Sequence, residues 1–259
     1  IEAEAGKQDL AERWFDKAAK AEPTRPSFHN NRGLALLQLE RNKEAADSFK
    51  AAVAADPGFV PALANLGRAL NALKEFTEAT EHLRNAISLA PDFVDAHQEL
   101  ATALGESGDL EGAIASIDTA LKLSPNNVRF LTQKAGLYVT FGKLELSEVI
   151  HRELLKHQPD SIHAYNGIAR VKKFETYDDD MKNMERLYKT IPDVDYNKVL
   201  QGEQDDAKRE DPKMNLAMSL AKAFEGIKNF DQAFYYYKEG NRLKRKKYYY
   251  DQAEDFNEF

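Results

Sequence analysis

The chain has 259 residues, 42% hydrophobic and 31% charged, with a formal net charge of −7. It contains no cysteine, which excludes a disulfide scaffold, a zinc ribbon and cysteine catalysis, and no uninterrupted apolar run approaches the roughly 20 residues that a membrane span requires. With 13 Gly, 9 Pro and no low-complexity tract it is neither collagen-like nor globally disordered, and because it opens at Ile1 rather than Met it is read as an excerpt of a longer protein.

The prolines at Pro23, Pro57, Pro91, Pro125 and Pro159 recur every 34 residues. Small residues keep the same step at Ala11, Ala45, Ala79, Ala113 and Ser147, at Ala18, Ala52, Ala86 and Ala120, and at Gly33, Gly67, Ala101 and Ala135. Large apolar residues keep it at Leu36, Leu70, Leu104 and Tyr138, and at Phe15, Phe49, Leu83 and Ile117. Several independent series with one period define a repeat protein.

In chain order, the first element is a second helix over 7–22, inside a partial repeat that covers 1–25. Four full units follow at 26–59, 60–93, 94–127 and 128–161, then a lone first helix at 162–173. Each unit reads as two amphipathic helices; in Leu63-Ala64-Asn65-Leu66-Gly67-Arg68-Ala69-Leu70 the apolar residues fall at helical spacing. The closing proline stops the second helix, because it lacks an N–H and disfavours helical geometry in the residue before it. Gly67 and Ala79 are expected to face each other and let the two helix axes approach closely, with Leu66, Leu70 and Leu83 filling the flanks. This pattern of small and large residues with a terminal proline resembles the tetratricopeptide repeat (TPR) over residues 1–173. The resemblance implies an all-α fold, a right-handed superhelical solenoid of antiparallel helix pairs.

After Lys173 the step fails. Residues 174–212 hold twelve acidic and six basic side chains, and they read as an acidic, irregular helical insert. Met181, Met184, Leu187 and Tyr188 predict a helix over about 178–190, whose N-terminal dipole Asp178, Asp179 and Asp180 would complement. A second helix is expected over 195–208. Over 213–247 Leu220, Ala221, Phe224, Ala233, Tyr237 and Gly240 reproduce a divergent repeat-like pair, and 248–259 reads as a linker toward a further domain. The stretches Leu220–Glu225, Asp231–Phe234 and Glu239–Arg245, with Tyr250-Asp251, resemble the junction between the repeats and the catalytic domain of bacterial TPR-linked sulfotransferases. That resemblance implies a sulfotransferase domain in cis, which would bind the donor PAPS after Phe259; no cofactor is expected in this chain itself.

No catalytic constellation is visible. No histidine pair among His29, His82, His97, His151, His157 and His163 has the i, i+4 spacing of a helical zinc site, so packing roles are expected. Gly105-Glu106-Ser107-Gly108-Asp109 lacks the Gly-Lys-Ser/Thr ending of a phosphate loop and reads as a turn. The basic run from Arg242 to Lys247 is short in an acidic chain and reads as a solvated helix end, so neither nucleic acid nor membrane is expected as a partner.

Function is therefore expected from shape. First helices line the inner face of such an array, and the residues left over from packing there are Asn30, Asn31, Leu34, Asn65, Arg68, Asn71, Gln98, Thr102, Arg129, Thr132, His163, Asn166 and Arg170. Asparagine both donates to and accepts from a peptide backbone, and arginine forks onto carboxylates. In the TPR family this surface holds peptides or partner helices, and Asn31 and Asn65 match its inward asparagine; Glu99, Gln133 and Gly167 depart from it. The expectation is a protein- or peptide-binding scaffold, the non-catalytic region of a sulfotransferase, or alternatively a stand-alone adaptor; a cytoplasmic location is the default for a chain without cysteine.

Overall fold

The computed structural model describes residues 2–193 and 211–257. Among them are thirteen α-helices and no strand. In chain order these are α1 (Glu2–Ala21), α2 (Pro26–Gln38), α3 (Asn42–Ala55), α4 (Val60–Ala72), α5 (Phe76–Leu89), α6 (Val94–Glu106), α7 (Leu110–Leu123), α8 (Val128–Thr140), α9 (Leu144–His157), α10 (Ile162–Val171), α11 (Asp179–Thr190), α12 (Pro212–Gly226) and α13 (Phe230–Asn257). The expected second helix over 195–208 lies outside the described residues.

The turns inside the four pairs from α2 to α9 are built the same way. Glu40, Lys74, Gly108 and Gly142 stand 34 residues apart, and all have positive φ, at 58°, 64°, 90° and 70°. The next N–H turns back onto a carbonyl five residues earlier: Arg41 to Leu36, Glu75 to Leu70, Asp109 to Leu104 and Lys143 to Tyr138. This left-handed closure satisfies carbonyls that the helix end would otherwise leave open. The second helices stop before proline as expected. Asp56, Ala90, Ser124 and Gln158 all leave helical geometry, with ψ between 78° and 100°.

The chain falls into two compact units, 1–137 and 138–259, divided inside α8 rather than at Lys173 where the period weakens. In the first unit α2 pairs with α3, α4 with α5 and α6 with α7, and each second helix also packs on the next first helix. Leu36, Phe49, Leu63, Leu66, Leu70 and Leu83 fill its core, and all are fully buried. The small residues act differently from the expectation for Gly67. A Cβ there would meet Leu83 Cδ2 at 2.6 Å, and one on Gly33 would meet Phe49 Cε1 at 2.5 Å. Glycine on the first helix thus receives a large side chain from the second, rather than facing the alanine one turn earlier.

In the second unit the acidic insert proves to be part of the array's rhythm. α11 begins 35 residues after α9 begins and ends 33 after it ends, where a second helix belongs. Its side chains hid this: Met181 stands where earlier second helices carry Ala or Ser, and the turn before it has no left-handed closure because Lys172 is extended. Asp178 caps α11 by accepting from Met181 N at 3.1 Å. Met181, Met184, Leu187 and Tyr188 pack with Tyr165 and Ala169 of α10, Leu216, Leu220 and Phe224 of α12, and Ala233 and Tyr236 of α13. The α12–α13 turn restores the left-handed residue at Lys228 (φ 61°), with Asn229 N bonded to Phe224 O.

α13 stays helical past 247, into the segment read as a linker. It runs to Asn257, because nothing between Asn241 and Asn257 is Pro or Gly and no residue there breaks helical geometry. Arg242 and Lys246 on this helix donate to Asp193 at 3.0 and 3.2 Å, and Lys213 of α12 meets the same carboxylate at 3.0 Å. The Asp193 carboxyl is held well below the usual range, chiefly by the Arg242 bond. Arg242 and Lys246 of the basic run are therefore engaged within the unit rather than simply solvated. No described helix is long and apolar enough to cross a membrane.

Candidate functional site: the inner face of the first helices

The first helices of the first unit are tied to one another by side-chain amides. Asn65 donates to Asn30 Oδ1 at 2.9 Å. Asn71 donates to both the backbone carbonyl and the carboxylate of Glu99 at 3.0 Å. Gln133 donates to the Gln98 carbonyl at 3.2 Å and to Thr102 Oγ1 at 2.9 Å. Two of the residues that complete this ladder, Glu99 and Gln133, are the ones whose departure from asparagine argued against it in the sequence. Any side chain of the right length with a donor or acceptor can bridge neighbouring first helices, so an asparagine-only pattern misses them.

Glu99 is the centre of the patch. It is 7% exposed, and burial pushes its carboxyl above the usual range, against the pull of the Asn71 amide and the Arg68 and Arg129 guanidiniums. Arg129 stands 3.9 Å from Glu99 Oε1, with its side chain 65% exposed. Asn71 Oδ1 and Gln133 Oε1 are buried without a hydrogen-bond partner. The patch thus offers two partly or fully exposed guanidiniums beside a buried acid, with amide groups not yet fully used.

The predicted inner residues therefore separate into groups. Asn30 and Gln98 are buried and serve the ladder. Leu34 packs against the core rather than standing open. Asn31, Asn65, Arg68, Asn71, Thr102 and Thr132 are half-buried, and Arg129 is exposed. In the second unit His163 and Arg170 are exposed, whereas Asn166 accepts from Ser219 at 2.9 Å and the Arg170 carbonyl accepts from Lys222 at 2.9 Å. Arg170, Lys173, Phe174, Lys222, Glu225 and Gly226 border a recess of about 380 Å³.

Three of the histidines, His29, His97 and His151, have structural roles. His29 and His97, two repeats apart, each bond the carbonyl of the proline six residues earlier, at 2.9 and 2.8 Å. His151 occupies the position of Phe49 and Leu83, packs against Gly167 and meets His163 edge-on at 6.0 Å. Among the described residues no three His, Asp or Glu side chains converge as a metal site requires.

Helix pairs stepped by 34 residues, left-handed turns and a polar inner face define a tetratricopeptide array, and family comparison agrees. Three family models, each described as tetratricopeptide repeat, match residues 1–60, 36–104 and 94–127. Residues 1–127 are tetratricopeptide repeats. A solved tetratricopeptide repeat protein from Parabacteroides merdae is 19% identical, with a TM-score of 0.58 over 93% of this chain and 88% of that one. A thermophilic TPR protein from Thermus thermophilus is 22% identical, with a TM-score of 0.54 over 64% of this chain and 91% of that one. YrrB, described as a TPR protein with an unusual peptide-binding site, is 14% identical, with a TM-score of 0.52 over 86% and 97%. The fold is that of the tetratricopeptide solenoids. A search of curated proteins returns no match.

Proposed function

We propose that the chain is a protein- or peptide-binding scaffold that works through the inner faces of its first helices. The observation that carries this reading is the Glu99 patch. A buried carboxylate held by Asn71 and flanked by Arg68 and Arg129 sets donors beside an acceptor on one face, which suits an extended backbone bearing an acidic side chain. The peptide-binding site named for YrrB supports the reading by analogy of fold. Titration calorimetry with acidic and basic decapeptides tests it. The acidic peptide is expected to bind, and Arg68→Ala with Arg129→Ala to weaken it about tenfold, in line with charge-assisted pairs. Equal affinity for wild type and double variant refutes the assignment. Arg170→Ala tests the second unit in the same way.

A finer reading rests on the resemblance of residues 220–251 to the repeat-to-catalytic junction of sulfotransferases. On that reading the scaffold positions the acceptor or a partner for a PAPS-dependent domain in cis. The codons beyond Phe259 decide it: a loop rich in Gly, Arg, Ser and Thr sustains the enzyme parent, and a stop codon leaves a stand-alone adaptor. The absence of cysteine suits a reducing cytoplasmic compartment, which fractionation of the source cells checks.

A further inference from the structure

In the first unit, one face of each second helix is covered by the first helix that follows it. On α7, Ile114, Ile117 and Leu121 share an apolar cluster with Val94 and Ala101 of α6 on one side and with Phe130 and Leu137 of α8 on the other. An ion pair seals the edge of this contact, with Lys134 of α8 donating to Asp118 of α7 at 2.6 Å. The same arrangement holds between α3 and α4 and between α5 and α6.

The last helix pair can be placed in that register. A shift of 120 residues brings Ala101 onto Ala221, Leu104 onto Phe224, Ala113 onto Ala233, and left-handed Gly108 onto left-handed Lys228. Ile114 then corresponds to Phe234, Ile117 to Tyr237 and Asp118 to Lys238. On α13 Tyr237 is half-buried, packed on the core of the unit with its hydroxyl donating to Glu225 Oε2 at 2.8 Å, whereas Phe234 beside it is not covered by any described residue. Phe234 is 71% exposed and Phe230 65% exposed. Phe234, Tyr237, Lys238, Asn241, Lys244 and Arg245 border an open groove of about 540 Å³. The face therefore presents aromatic rings flanked by cations.

We propose that this face of α13 is a docking site for one amphipathic α-helix of a partner protein, seated as α8 is seated on α7. Its apolar stripe covers Phe234 and Tyr237. Its charge is the reverse of that on α8: where Lys134 meets Asp118, the incoming helix carries a carboxylate to meet Lys238, and Lys244 and Arg245 favour further acidic residues along it. Arg242 and Lys246, turned away toward Asp193, take no part. The site uses none of the inner-face residues, so it stands or falls apart from the scaffold reading.

The test uses the full chain and two stapled peptides of residues 127–141, one with the natural Lys134 and one carrying Lys134→Glu, titrated by fluorescence anisotropy. The peptide with Lys134→Glu is expected to bind about fivefold more tightly than the natural one, the effect of one partly exposed charge pair. Lys238→Asp in the protein is expected to reverse that preference. Phe234→Ser, at a position too exposed to unfold the helix, is expected to abolish binding of both. Absence of binding, binding indifferent to Phe234→Ser, or a charge preference that does not reverse overturns the proposal. Sedimentation of the free chain supplies a further check: self-association that Phe234→Ser removes would assign the face to a second copy and overturn it as well.

Discussion

Replacing His151 with phenylalanine isolates one side chain's share of acid sensitivity. The imidazole is 6% exposed, its Nδ1 has no partner, and its ring lies against Gly167 as the Phe49 ring lies against Gly33. Burial, with a smaller push from the charges of His163 and Arg170, lowers its pKa from 6.5 to about 4. Above pH 6.5 the ring is neutral in both folded and unfolded chains, and it contributes no pH dependence. Between pH 6.5 and 4 the unfolded chain binds a proton that the folded chain refuses, so stability falls as the pH falls; below 4 both are charged and the loss is complete. The full shift would correspond to about 3 kcal/mol, and discounting for residual solvent screening leaves about 2 kcal/mol. His151→Phe removes this loss and the unpartnered ring nitrogen together, and is expected to raise stability at pH 7 by about 1 kcal/mol. Urea unfolding of both proteins at pH 7.5 and 4.5 gives the difference, and the His151 ring-proton shift gives the pKa directly. Parallel pH profiles for the two proteins, or a ring titrating near 6.5, refute the reasoning.

Other positions give equally direct tests. Gly67→Ala places a methyl inside the Leu83 side chain and is expected to lower stability by about 1–3 kcal/mol despite alanine's better helix propensity, read as a fall in Tm. Lys74→Gly relieves a left-handed residue at φ 64° and is expected to raise stability by about 1 kcal/mol in the same assay. His29→Ala and His97→Ala each remove one bond to a proline carbonyl. They are expected to cost about 1 kcal/mol apiece and to add in the double variant, since the sites are separate. Asp180→Ala strips Arg152 and Lys172 of a shared, half-buried carboxylate. Although burial opposes its ionisation, those two cations keep the Asp180 pKa below 3.8, so its stabilising effect is present at neutral pH and fades as the pH drops through that region. A loss of about 1–3 kcal/mol at pH 7 that narrows toward pH 3 is expected in urea unfolding.

The helix pairs from Pro26 to Val171 were legible because each proline, glycine and bulky residue does one mechanical job at one step, and the chain repeats the job. The partner of Gly67 was misplaced because spacing identifies which face a residue occupies but not which neighbour it touches across a hairpin. α11 escaped notice as a repeat element for a different reason. The apolar stripe and the helix were read, but methionine at 181 fills by bulk what alanine elsewhere achieves by closeness, so the helix did not register as a repeat element. Glu99 and Gln133 were discounted by identity when their hydrogen-bonding capacity was the relevant property. The missing closing proline already let the last helix run on through Lys247, and α13 extends the same helix to Asn257.

The bond from Ser219 to Asn166 spans 53 residues, against 35 for the matching bond from Asn65 to Asn30, a difference of 18. Consecutive rungs therefore meet correctly although the path between them has been lengthened by half. Closing a longer path adds only about 0.6 kcal/mol per doubling, so the stacking of α12 on α10 is kept by the rung itself and not by a fixed length of chain between the two helices.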